Sequence, residues 1–168
     1  EGIEVSPIGR QYALQQGGFE VYAHPMEELA LDENRYDAVT LFYVIEHVSE
    51  PVNVLKQVKK VLKPDGLILL RWPHSTPIVK LLGPWARHLD VYHTPYHLFD
   101  FSPSNMTRML TQAGFNRIET MIGGHTHPAN RLGRWVTVAF GHLAQALFTI
   151  SGGRRLLPGV SKTTVARG

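Results

Sequence analysis

The stretch that most limits the fold is the continuous apolar run from Tyr36 to Val44 (YDAVTLFYV) with the two segments that follow it. A run so rich in β-branched and aromatic residues reads as a strand buried on both faces. Ser49-Glu50-Pro51 then opens a helix in which Val52, Leu55, Val58 and Leu62 recur at three- and four-residue spacing, with Lys56, Lys59 and Lys60 on the other face. Lys63-Pro64-Asp65-Gly66 supplies a turn, and Gly66 to Trp72 (GLILLRW) is a second buried strand. Strand, amphipathic helix, strand is the repeating unit of a parallel sheet with helices on its faces.

The same alternation extends outward. GIEV at 2–5 reads as a short strand. Ser6-Pro7 caps a helix to about Gln16, Gly17-Gly18 stops it, and FEVY at 19–22 is the next strand. Residues 73–101 are loop-rich, with a short helix predicted near 78–88. Ser102-Pro103 opens a helix that buries Met106, Met109, Leu110 and Ala113 and closes at Gly114, before a strand over 115–122. A helical insertion at about 128–158 separates that strand from a last one, KTTVAR at 162–167. The prediction is one α/β domain over 1–168, with no internal repeat.

Composition narrows the classes. An apolar content of 43% in 168 residues suffices for a core, and 18% charged residues argues against disorder. The absence of cysteine excludes disulfides and thiolate metal sites and points to the cytoplasm. The net charge of +3 is scattered, paired only at Lys59-Lys60 and Arg154-Arg155, so no nucleic-acid partner is expected. EGIEVSPIGR lacks the basic start and apolar run of a signal peptide.

Three segments, in order, resemble the class I methyltransferases that use S-adenosyl-L-methionine (SAM), in particular the UbiE-like, type 11 and type 23 domains. YDAVTLFYVIEHVSEPVNVLKQVKKVLKPDGLILL is similar to that family's fourth strand, E-H-V turn, helix, and turn into the fifth strand. HTPYHLFDFSPSNMTRMLTQAGF resembles its H-L-x-x-F-S-P segment, and GIEVSPIGRQYA its second strand with an acidic end. The resemblance implies a Rossmann-like fold with a mostly parallel seven-stranded sheet in the order 3-2-1-4-5-7-6. It also implies a first strand and a D-x-G-x-G-x-G turn ahead of the matching segment, and neither Gly17-Gly18 nor Gly123-Gly124 has that spacing. The edges of the second and fourth strands are therefore expected to re-pair, to dimerise, or to take a borrowed strand, with SAM held weakly.

The resemblance also implies site residues. Glu4 stands where a carboxylate accepts the ribose diol, which suits an ionised acceptor. Pro25 falls where the adenine-binding acid is expected, leaving Met26 to pack on the ring and Glu27 to take the polar role. Phe42 and Tyr43, at a strand's carboxyl end, are expected to face the cofactor. His47 in IEHV, with His97, is placed at methyl transfer, since an imidazole titrates near neutrality and serves as a base. His93, Tyr96 and His97 are expected on the substrate. No metal is expected, because Pro95 interrupts the one His–His pair at four-residue spacing, His93 and His97.

The reaction implied is methyl transfer from SAM to a small-molecule, sugar or lipid-like acceptor. The alternative is a non-catalytic domain that keeps the fold without the cofactor. In the insertion, Leu132, Val136, Ala139, Phe140, Leu143, Leu147 and Ile150 fall on one helical stripe, and Trp135 to Gly153 carries no charged residue. Glycines, His142 and Gln145 argue against a span. The expectation is a helix packed on the domain or a second subunit, with peripheral membrane contact through 131–155 as the next reading.

Overall fold

A computed structural model of the chain describes residues 1–75, 83, 96–123, 131–158 and 160–168. In chain order these form β1 (Gly2–Ile3), α1 (Pro7–Gln16), β2 (Val21–Tyr22), a 3-10 turn (Met26–Glu28), β3 (Tyr36–Phe42), α2 (Pro51–Val61), β4 (Leu62–Trp72), α3 (Pro103–Gln112), β5 (Asn116–Ile122), α4 (Arg131–Ile150) and β6 (Lys162–Arg167). The helix predicted near 78–88 lies outside the described residues.

The strands form two sheets, β1-β2 and β3-β4-β6-β5. β1 and β2 run parallel, as do β3 and β4, while β6 lies antiparallel between β4 and β5. Read together, the two sheets follow the predicted strand order with its third place open. β1 does not re-pair onto β3. The sheets are linked instead through side chains, with Glu1 accepting hydrogen bonds from Arg35 and Tyr36. The Glu1 carboxyl is held below its usual range chiefly by the Tyr36 hydroxyl, and Tyr36, desolvated and bonded to Glu1, is pushed up to about 12.

The core sits where α2 and α3 cover the four-stranded sheet. Val54, Leu55 and Val58 of α2 pack with Ile68, Leu70 and Trp72 of β4 and with Met106 and Leu110 of α3. Each such side chain contributes roughly 1.5–3 kcal/mol by leaving water. A polar ladder crosses the strands inside this core: Trp72 Nε1 donates to Thr164 Oγ1 at 3.0 Å, and Thr164 shares a 2.9 Å bond with Thr120.

Three sequence expectations change. β3 is not buried on both faces: Val39 and Leu41 pack on the core, but Ala38, Thr40 and Phe42 are exposed, because nothing among the described residues covers that face. β4 begins at Leu62 rather than Gly66. The Lys63–Gly66 turn is absorbed as an irregularity in the strand, with Tyr36 facing Leu62 and Ala38 facing Leu67. Asp65 takes φ 62° there, and a Cβ on Gly66 would meet the Lys63 carbonyl at 2.8 Å. In α4 the stripe read from sequence is packed only in part: Phe140 and Leu147 are half-buried, and the side chains of Leu132 and Val136 lie outside the described ones. Gly141 and Ala144 are buried, and Ala139, Leu143 and Ile150 are exposed, because small residues allow the closest approach to the sheet.

Candidate active site

The candidate site lies at the carboxyl end of β3. Ligands of open α/β sheets bind outside the carboxyl ends of the strands. The chain leaves β3 through Tyr43, whose φ of 56° is rare for a bulky residue and costs about 1–3 kcal/mol. The Tyr43 amide donates to the Arg71 carbonyl at 2.8 Å, and the Arg71 guanidinium lies 5.4 Å from the centre of the Phe42 ring. Phe42 and Tyr43 are thereby held half-exposed at this edge.

Next comes a tight turn closed by the His47 amide on the Val44 carbonyl at 2.9 Å. Ile45 and Glu46 are fully buried beneath it, and His47 is exposed. The turn is latched to residues 96–99. The Glu46 carbonyl accepts the amides of Leu98 and Phe99 at 2.9 and 3.2 Å, and His47 Nδ1 lies 2.7 Å from the Tyr96 carbonyl. A carbonyl accepts only, so Nδ1 carries a proton and, in the neutral ring, the lone pair is on Nε2. The His97 ring meets that of His47 edge-on, with 4.9 Å between centroids.

The latch brings together three of the residues named from sequence, His47, Tyr96 and His97. His93 lies outside the described residues. Tyr96 is exposed, with only its backbone engaged at His47.

Glu46, which the sequence reading passed over, is the buried floor of this site. Neither of its carboxylate oxygens accepts a hydrogen bond, and burial pushes its carboxyl up, against the opposing pull of its own backbone amide and of His47. A buried carboxyl with no partner favours its neutral form or a counter-charge. Glu46, His47 and His97 each bring one ligating atom within 4.8 Å of one another. One carboxylate and two imidazoles form a donor set that a divalent cation accepts. The expectation of no metal rests on histidine spacing and on the lack of a carboxylate pattern near His93 and His97, and does not weigh Glu46.

At the same sheet edge, where β4 ends and the antiparallel β6 begins, stands a second polar group missed from sequence. Lys162 is buried and donates to the carbonyls of Leu157 and Val160, both at 2.6 Å. Burial pushes its ammonium down to about 8, opposed by Asp100. His74 is buried with Nδ1 unpaired, and burial, then the Lys162 charge, pushes it down. Asp100 accepts the Ser75 amide at 3.0 Å. The one signal in the sequence was a lysine beginning a strand whose next four residues, Thr163 to Ala166, are uncharged.

The remaining predicted residues sit on the smaller sheet's side. Glu4 follows β1, and its Oε1 accepts the Ser6 amide at 2.8 Å, which fixes the carboxylate and leaves acceptor capacity for a diol. A Cβ on Gly9 would meet Glu4 Cδ at 2.8 Å, so glycine lets the helix approach that carboxylate. Met26 packs against the core, and Glu27 is exposed. Both line a cavity of about 250 Å³ with Leu29, Lys60 and Val61. Lys60 and Val61 bond the backbone just before β3, so this cavity lies toward the amino end of that strand, away from His47.

Comparison with known proteins identifies the family and the fold. Residues 1–120 match the family model described as a methyltransferase domain. The ubiquinone biosynthesis O-methyltransferase of Acinetobacter baumannii (strain ACICU) is 30% identical over 132 residues, covering 74% of this chain and 55% of the relative. The protein of that name from Aeromonas salmonicida is 26% identical over 149 residues, 83% of this chain and 62% of its own. The chain thus spans little more than half the length of such relatives. Among solved structures, a SAM-dependent methyltransferase from Archaeoglobus fulgidus superposes with a TM-score of 0.65 at 16% identity, over 99% of this chain and 75% of its own. One from Mesorhizobium loti gives 0.59 at 16% identity, over 99% and 79%. SAM is the cofactor of this family, and the chain belongs to it: a class I methyltransferase domain.

Proposed function

We propose that the protein transfers a methyl group from SAM to a hydroxyl oxygen of a small-molecule or lipid-like acceptor, with His47 as the base. The observation that carries this reading is the 2.7 Å contact of His47 Nδ1 with the Tyr96 carbonyl, which in the neutral ring places the proton on Nδ1 and the lone pair on Nε2, beside the carboxyl end of β3. A hydroxyl is a weak nucleophile until its proton is drawn off, whereas an amine needs no base for methylation. The relatives named above are O-methyltransferases, which agrees with an oxygen acceptor.

Glu4 fits the ribose, and the half-exposed rings of Phe42 and Tyr43 fit the cofactor's apolar surface. When bound, SAM supplies a methyl group already activated on a sulfonium. The chain's own residues do the rest. His47 Nε2 takes the acceptor proton, the Tyr96 carbonyl holds the ring and supports the imidazolium that results, and His97 walls one side. Incubation with methyl-labelled SAM and a panel of phenols, alcohols and amines tests the proposal, at millimolar cofactor because the glycine-rich turn is not among these residues. Label on a hydroxyl oxygen is expected; label on amines alone would overturn it.

The Glu46–His47–His97 trio favours a second reading, in which these three residues would hold a divalent cation that would supply Lewis-acid activation of the acceptor hydroxyl in place of the free imidazole. Activity that survives exhaustive chelation supports the base, and activity lost to chelation and restored by Mg²⁺ or Zn²⁺ supports the cation.

A further inference from the structure

We propose that α4 docks the protein on an anionic lipid surface, lying along the membrane rather than crossing it. Two independent observations meet on this helix.

The first is its outward face. Trp135, Leu143 and Ile150 are 74%, 51% and 82% exposed. Ala139 and Ala146 are exposed between them, flanked by His142 and Thr149. At 100° per residue these positions form one arc opposite the buried Gly141 and Ala144. α4 rests on β5 through that inner face. From Trp135 to Ile150 the outer arc is therefore a strip about 23 Å long, with the tryptophan at one end, the isoleucine at the other and no charge within it. Among the described residues no helix is long and apolar enough to cross a bilayer, so such a strip sinks only to the level of the headgroups.

The second is charge. None of the 14 acidic residues lies beyond Glu119, whereas Arg131, Arg134, Arg154, Arg155, Lys162 and Arg167 do. The chain before that point carries more acids than bases. The basic excess is thus confined to the part of the chain that holds α4, and both ends of the helix are bracketed by arginine pairs in sequence. Arg154 and Arg155 are exposed just beyond its last turn, where the Arg155 amide is tied to Ser151 Oγ at 3.0 Å.

Charge also selects the occupant. A second copy seated on the same strip would bring two wholly basic segments together. An anionic headgroup layer instead neutralises them while Trp135, Leu143 and Ile150 leave water. This inference does not depend on the chemistry at His47, although a docked α4 would bring a lipid-like acceptor close to the domain.

Sedimentation of the full chain with vesicles tests it, using phosphatidylcholine alone and phosphatidylcholine with about a third phosphatidylglycerol, in about 0.1 M salt. The protein should pellet with the anionic vesicles, remain in solution with the neutral ones, and be released at about 0.5 M salt. R154Q and R155Q should each weaken binding about fivefold. L143D with I150D should abolish it, with unchanged circular dichroism showing that the fold survives. Failure of the wild type to pellet overturns the proposal, as does equal pelleting on neutral vesicles. A dimer in gel filtration that L143D disperses, with no vesicle binding, assigns the strip to a second copy and also overturns it. If the double variant does not fold, the lipid and salt dependence of the wild type decides.

Discussion

Helices α1 and α3 open on the same pair of residues, serine then proline, and in both the serine hydroxyl accepts the amide three residues on, Gly9 at 3.3 Å and Asn105 at 3.2 Å. Both run for ten residues. Yet α3 buries Met106 and Leu110 completely, whereas α1 buries nothing and leaves Ile8, Tyr12 and Leu14 largely in water. The caps are local and work in either setting. Burial needs a neighbour: α3 has β5 and α2, while among the described residues α1 rests chiefly on the two-residue strand β2. One half of the molecule is therefore held by packing, and the other chiefly by its caps, by Glu1 bonded to Arg35 and Tyr36, and by Met26 against the core.

The largest effect expected from this contrast is in the core. Leu110→Ala should cost about 2–5 kcal/mol of unfolding free energy in urea titration. A loss below 1 kcal/mol would mean that α3 is no better anchored than α1.

The next largest effect comes from the buried charge in the same half. Lys162, ordinarily near 10.5, sits at about 8 in the folded protein. Between those values the unfolded chain holds a proton that the folded chain has released, so stability should rise with pH across the window, by up to about 3 kcal/mol. Below pH 8 both states hold the proton and the slope vanishes. Urea midpoints from pH 7.5 to 9.5, below the range in which Tyr36 contributes, should climb in the wild type and not in K162M. Equal slopes in the two proteins would show that Lys162 is not desolvated.

Smaller effects separate the two caps. Ser102→Ala should cost about 1 kcal/mol of global stability. Ser6→Ala should leave the urea midpoint almost unmoved and speed amide exchange in α1 alone. At the bottom of the scale, Ile8→Ser should change stability by less than about 0.5 kcal/mol. A cost of 2 kcal/mol at Ile8 would erase the contrast by showing that α1 is packed in solution.

The sequence made the locally coded features legible. Ser6, Ser102, Gly17 and Gly114 mark helix ends through backbone chemistry that needs no partner, and the bounds of α1 and β6 match their predicted spans. β3 was misjudged because an apolar run reports a preference for burial, whereas its exposure depends on what lies over Ala38 and Thr40. The site was half legible. His47 and His97 were named from motif position, but their contact depends on Glu46 and Tyr96 offering backbone carbonyls across some fifty residues of chain, and periodicity carries no such signal. Glu46, His74 and Lys162 were missed for a related reason. A charged letter in a sequence reads as exposed, and only the packed structure shows it buried.

The account turns on His47, and the turnover of His47→Asn at saturating SAM and hydroxyl acceptor tests it most directly, with SAM affinity measured alongside. The amide can keep the bond to the Tyr96 carbonyl but cannot take a proton. The prediction is a kcat lowered about 10²–10⁴-fold with SAM affinity unchanged. An unchanged kcat, or a loss explained entirely by weaker SAM binding, would contradict it.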